Sequence, residues 1–261
     1  MFVIKHKLLF FSISAILVIA SLVVIFQWGL RPGVDFSGGT ILEVRYEGER
    51  PEPAVRMATL EEGDRDALVA LFEADTTHVE SIERLSSVGP SVGEELRRKT
   101  VIAIGLVVLM IILYIAFTFR KVSKPISSWT YGFVAIVTLL HDVIIPAGVF
   151  AVLGHFQGLE ADTLFVVALL TILGLSVNDT IVVFDRIREN LRLNQEGHKN
   201  EPFDQTVGKS LEQTYVRSFN TSFTVILVLL ILFFLGGTTI HSFILTLLVG
   251  QIAGTYSSIF I

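Results

Sequence analysis

From residue 218 to its last residue, 261, the chain runs for 44 residues without one Asp, Glu, Lys or Arg. As a single α-helix that run would be about 66 Å long, roughly twice the hydrocarbon core of a bilayer. It therefore has to fold back inside a membrane, and Gly236-Gly237 near its middle supplies the turn. A water-soluble globular domain has no use for such a stretch, so that class is excluded. Residues 8–30 and 100–119 are also free of charge, 125–159 is interrupted only by Asp142, and 163–184 only by Asp179. Six membrane spans follow, over about 8–28, 100–119, 130–153, 163–184, 219–235 and 240–261. The sixth stops flush with the chain end, which reads as truncation of a C-terminal tail. The first span has the basic start of a signal peptide in Lys5 and Lys7. Its apolar run is too long for one, however, and no A-x-A site follows, so it is read as a retained anchor.

Charge is distributed as unevenly as hydropathy. The formal net charge is −5, from 20 Lys and Arg against 25 Asp and Glu. Residues 31–99 hold 15 of the acids and nine of the bases. With no basic stripe, nucleic acid is excluded as the main partner. Zero cysteine excludes disulfides, thiolate metal sites and cysteine nucleophiles. Lys and Arg gather at the N-terminus, in 120–128 (Arg120, Lys121, Lys124) and in 185–217, while 154–162 and 236–239 carry none. The positive-inside rule then places both termini and both basic segments in the cytoplasm, and the acidic 31–99 segment outside. The expected organisation is an α-helical polytopic membrane protein in three parts. Residues 1–30 are the N-terminus and first helix, and 31–99 an extracytoplasmic domain. Residues 100–261 are five further helices with a cytoplasmic loop at about 185–217.

Residues 40–46 alternate like a strand, 64–74 carry Leu68, Leu71 and Phe72 at helical spacing, and 79–85 alternate again. The segment reads as a small α+β (ferredoxin-like) module whose modest core needs support from a partner or the membrane helices. The glycine-rich 31–40 could cradle a phosphate or form a tight turn where chain leaves bilayer. It lacks GxxxxGK[ST] and GxGxxG, which favours the turn, and Gly89-Pro90-Ser91-Val92-Gly93 is read the same way.

Two acids lie within spans, where a central Asp costs about 2.5–3.5 kcal/mol on insertion scales. Asp179 stands between Asn178 and Thr180, and Asp142 beside His141. Each is either a proton carrier or a helix-bonding group. Arg217, followed by Ser218-Phe219-Asn220-Thr221-Ser222, is either a counter-charge for Asp179 or a positive-inside anchor. Gln251 and Gly250-x-x-x-Gly254 read as helix packing. Asp179 lacks the Gly-x-Gly-Asp setting of intramembrane aspartyl proteases. There is no HExxH, and the six histidines are scattered, so neither a catalytic residue nor a metal site is expected.

Gly33-Val34-Asp35-Phe36-Ser37-Gly38-Gly39-Thr40 resembles the G-x-D-F-x-G-G-T signature of SecF-type members of the SecD/SecF protein-export family. Residues 88–93 are similar to that family's second signature, and 176–190, Ser-Val-Asn-Asp-Thr-Ile-Val-Val-Phe-Asp-Arg-Ile-Arg-Glu-Asn, to its fourth-span motif. Arg217-Ser218-Phe219-Asn220-Thr221-Ser222 matches the stretch opening the fifth span, and His141-Asp142 fits the third. The resemblance implies a multi-pass protein of the bacterial cytoplasmic membrane in the resistance-nodulation-division superfamily. Such a protein pairs with SecD beside the SecYEG channel, with YajC and YidC as further partners, and helps draw preproteins outward. Protons would be the coupling ion, with no other cofactor. Carried over, Asp179 would accept the proton, Arg217 would be its charge partner and Asp142 a second relay or a structural group. Asn178, Thr180, Asn220 and Thr221 would shape a polar path. Gly33, Asp35, Phe36, Gly38 and Gly39 would form the motif at the domain entry. Two other readings are a proton-coupled exporter of small molecules or lipids from the same superfamily, and a passive scaffold.

Overall fold

The computed structural model describes residues 2–46, 54–58, 60, 62–74, 79–118, 128–198, 201–237 and 240–261. A backbone in hydrocarbon has to satisfy its own N–H and C=O groups, so each apolar run becomes a helix. The chain opens with α1 (Phe2–Lys5) and α2 (Lys7–Trp28), followed by a single turn, α3 (Val34–Ser37). The outer module contributes β1 (Gly39–Tyr46), β2 (Ala54–Met57), α4 (Glu62–Ala74) and β3 (Val79–Val88). Then come α5 (Pro90–Thr118), α6 (Ser128–Gln157), α7 (Thr163–Glu196), α8 (Phe203–Leu235) and α9 (His241–Phe260). Helices α2, α5, α6, α7, α8 and α9 are each long and apolar enough to cross a bilayer.

Several helices outrun the predicted spans. Helix α5 begins at Pro90, so Glu94, Glu95, Arg97, Arg98 and Lys99 ride on the same helix that enters the membrane. The segment read as a loop at 185–217 is mostly helical, because α7 runs on to Glu196 and α8 starts at Phe203. Polar side chains zip the two together. The Asn190 amide donates to Ser210 Oγ at 2.8 Å and Gln213 Oε1 at 2.9 Å, and the Asn194 amide to Thr206 Oγ1 at 2.9 Å. Arg120, Lys121 and Lys124 lie outside the described residues.

The module is an antiparallel sheet in the order β2-β1-β3, with β1 in the middle. The expected strands and helix form, and β2 is an addition that its short, proline-flanked sequence hides. Among the described residues the module has three strands and one helix, less than the four strands of a complete ferredoxin-like fold. Thr40 is fully buried at the base of β1, its Oγ1 2.8 Å from Ser87 Oγ on β3.

Within the membrane, α6, α7 and α9 are central. Half or more of each of these spans is buried, against 17% or less for α2, α5 and α8. Phe150 and Phe165 stack at 4.3 Å, and Ala168, Ile172, Ile244 and Leu247 continue that core. The small residues act as the sequence suggests: Gly250 lies directly against the Ile172 side chain, and Gly254 faces Ser176. Gly148 lets α2 seat on α6, since a Cβ there would come within 2.7 Å of Ser21 Cα, which is backbone and cannot swing aside.

Substituting Gly148→Val should therefore separate α2 from α6 and cost about 1–3 kcal/mol. Gly105→Ala, which meets open space, should cost nothing. Thermal unfolding of the detergent-purified protein checks the pair.

Candidate functional site

The two membrane acids lie on neighbouring helices but in different surroundings. Asp142, on α6, has no exposed surface. Its Oδ1 lies 2.8 Å from His141 Nδ1, which donates in the Nδ1–H tautomer. Its Oδ2 accepts the hydroxyls of Ser257, on α9, at 2.8 Å and of Ser176, on α7. One carboxylate thus joins all three central helices. His141 stacks on Tyr256 with ring centroids 6.2 Å apart, and the Tyr256 hydroxyl reaches the Phe10 carbonyl on α2 at 2.9 Å. The Nε2 of His141 is buried without a hydrogen-bond partner among the described residues, as are Thr180 Oγ1 and Ser218 Oγ.

Asp179 lies on α7 three residues beyond Ser176, about one turn along the same face. It is 8% exposed and, among the described residues, accepts one side-chain hydrogen bond, from Ser222 Oγ on α8 at 3.2 Å. Asp142 receives three donors and Asp179 one, and that contrast separates their chemistry. A carboxylate with one long hydrogen bond is tied to its neighbours far more loosely than one with three.

Arg217 does not pair with Asp179, contrary to the expectation. Every fourth residue of α8, Thr206, Ser210, Thr214, Ser218 and Ser222, is buried in the bundle. Arg217 is one residue, and so about 100° of helical rotation, ahead of Ser218, and it is exposed. Its neighbours on that outer stripe are Asn220, Thr221 and Thr224, at spacings of three, four and seven, all exposed. The threonine hydroxyls bond back to helix carbonyls, Thr221 to Arg217 and Thr224 to Asn220. No side-chain partner holds Arg217 or Asn220 among the described residues. Of the expected polar path, Thr180 is buried near Asp179, whereas Asn178, Asn220 and Thr221 face outward. A cavity of about 180 Å³ lies where α1 and the start of α2 meet α7 and α9; its lining is mostly apolar, with Lys7, Thr138, Thr180, Ser257 and Ser258 as its polar members, and neither aspartate lines it. Ser176 and Ser222 lie inside the two span motifs and Ser257 in none, but nothing in the sequence assigned any of them a role, because serine in a membrane helix is common and its partner is set by packing.

The entry motif sits at the other end of α7. Gly33 N–H donates to the Ala161 carbonyl at 2.8 Å, Ala161 N–H to the Arg31 carbonyl at 2.7 Å, and Thr163 N–H to Asp35 Oδ2 at 2.9 Å. Gly38 and Gly39 have φ of +73° and +121°, conformations open to glycine. A Cβ on Gly38 would also lie 2.9 Å from Pro90 Cα, and one on Gly93 would lie 3.0 Å from Gly38 N and 3.2 Å from the Phe36 carbonyl. The two glycine motifs therefore pack on each other, and the turn reading, not the phosphate cradle, describes them.

Comparison with known proteins matches residues 69–261 to the C-terminal region of the SecD/SecF protein export membrane proteins and residues 23–49 to the SecD/SecF GG motif. The protein translocase subunit SecF of Thermobaculum terrenum is 42% identical, over 99% of this chain and 90% of its own. That of Anaerolinea thermophila is 33% identical, over 99% and 91%. The SecDF subunit of Thermus thermophilus is 36% identical over 95% of this chain but only 36% of its own. A crystal structure of SecDF from that organism, described as a translocon-associated membrane protein, superposes with a TM-score of 0.83 at 32% identity. A super-membrane-facing form of SecDF superposes at 0.71. The match covers 98% of this chain and 37% of each SecDF chain.

If Asp142 is the clasp of the three helices, Asp142→Leu should destabilise the protein by about 1–3 kcal/mol for each donor left unpaired. Asp142→Asn, which keeps an acceptor oxygen, should lose less. Denaturant unfolding in detergent ranks the two variants.

Proposed function

The chain belongs to the SecD/SecF family of protein-export membrane proteins, and on that premise we propose that it is a SecF-type translocase subunit that converts proton movement into work on a preprotein. The observation that carries this reading is Asp179, a buried carboxyl on a central span with one hydroxyl donor and no cation beside it among the described residues. Ionised, it draws Ser222 and α8 toward α7. Protonated, it loses most of that attraction, and the α7–α8 contact is free to reseat. One charge moved through 100 mV supplies about 2.3 kcal/mol, a population shift of roughly fifty-fold. That is enough to switch a two-state element.

Asp142, saturated by three donors, is the fixed neighbour against which α7 works. The cavity beside Thr180 and Ser257 leads toward Lys7 on the N-terminal, cytoplasmic side, and serves as one arm of the proton route. Thr180, whose hydroxyl is buried and unpartnered, lines it.

The outer stripe of α8 meets a second protein. Arg217 and Asn220 on a lipid-facing surface would each be costly, and a helix of polar complement removes that cost. SecD is the occupant this reading assigns, because relatives carry SecD and SecF regions in one chain. The outer module, ferredoxin-like in the reading of its sequence, is the element that moves against the preprotein beside SecYEG.

The test is proton flux and preprotein export in vesicles carrying the full complex. Asp179→Asn should bring both to background while SecD still co-purifies. Asn220→Leu should instead reduce co-purification of SecD. Unchanged flux and export in Asp179→Asn would leave a passive scaffold as the answer.

A further inference from the structure

We propose that Asp35 is the transmission residue of the protein: its carboxylate fastens the outer module to the N-terminus of α7, so that movement of α7 reaches the module. The proposal rests on the reading above, in which a change at Asp179 moves α7.

Thr163 is the first residue of α7, and its N–H is among those that a helix cannot satisfy internally. That end also carries the positive pole of the helix dipole, which favours a carboxylate. Two carboxylates serve it. Asp162 caps its own helix, accepting the Phe165 N–H at 2.9 Å. Asp35 comes from 128 positions earlier in the chain and accepts the Thr163 N–H at 2.9 Å. A local cap stabilises a helix end. A cap from so far away ties that end to something else.

What it ties is a rigid hub. Asp35 lies in α3, whose turn is braced by the Ser37 hydroxyl on the Gly33 carbonyl at 2.9 Å. One residue past α3, Gly38 presses against Pro90 at the start of α5. Gly39 then opens β1, paired with Val88 on β3. The parallel backbone bridge between Pro32 and Ala161 lies beside the same joint. Any displacement of α7 along its axis therefore pulls on α3 through the Asp35 carboxylate, and through α3 on the central strand. Asp179 is 16 residues from Thr163, about 24 Å along one helix. A helix of that length carries an axial shift with little loss. The glycines of the motif provide close contact, and the aspartate provides the grip.

The experiment uses the full complex with its SecD partner and translocon in vesicles, reading proton flux and preprotein export separately. Wild type and Asp179→Asn come first. If flux is absent or indifferent to Asp179, the parent reading fails and this proposal fails with it, before Asp35 is touched. Where flux depends on Asp179, Asp35→Ala should keep it and lower export by about tenfold, a typical size for a coupling between sites. Asp162→Ala, which removes the local cap and leaves the Asp35 bond in place, should leave the ratio of export to flux unchanged. Asp35→Asn, whose amide oxygen can still accept the Thr163 N–H, should retain most of the export that Asp35→Ala loses. Export surviving in Asp35→Ala would overturn the proposal. Flux and export falling together would overturn it too, since that is the behaviour of a residue that only holds the fold.

Discussion

The carboxylate of Asp142 is the interaction around which the membrane bundle is arranged. It takes hydrogen bonds from the side chains of His141, Ser176 and Ser257, which belong to α6, α7 and α9. In hydrocarbon no water can substitute for those donors, so the three helices are held in one register. The small residues follow from that register. Gly250 and Gly254 on α9 are where side chains of α7 have to fit, and Gly148 on α6 is where α2 settles. Once Asp142 is satisfied, Asp179 one turn further along α7 stands out by contrast, with Ser222 as its single side-chain donor.

That contrast divides the labour between two identical side chains. A saturated carboxylate stabilises a fixed arrangement. One with a single donor leaves its helix contact freer to change, which is why the proposed proton site is Asp179. The same helix, α7, carries Asp179 in its middle and is gripped by Asp35 at its outer end. One element therefore touches both Asp179, the proposed proton acceptor, and the module outside the membrane.

Much of this is legible in the residue types alone. Hydrocarbon tolerates so few charges that the six spans and the two buried acids could be counted from residue types alone. The outer module's two longer strands and its helix showed in their periodicity. What escaped notice was decided by rotation about helix axes and by packing. Arg217 and Ser222 both lie near the depth of Asp179 in sequence terms, but they differ by five residues, about 140° around α8. Only the packing of α8 on α7 selects the serine. The helical hairpin at 185–217 was hidden because its charges read as a loop, although Asn190 and Asn194 bind it together through α8. The turn at the glycine motif was legible locally, but the bond from Thr163 N–H to Asp35 was not, since the two residues lie 128 positions apart.

If Asp179 is the proton acceptor, infrared difference spectroscopy on vesicles carrying the complex, with and without an imposed proton gradient, shows it directly. A protonated-carboxyl band should appear with the gradient, vanish in Asp179→Asn and survive in Asp142→Asn. A band that survives in Asp179→Asn and vanishes in Asp142→Asn would contradict it.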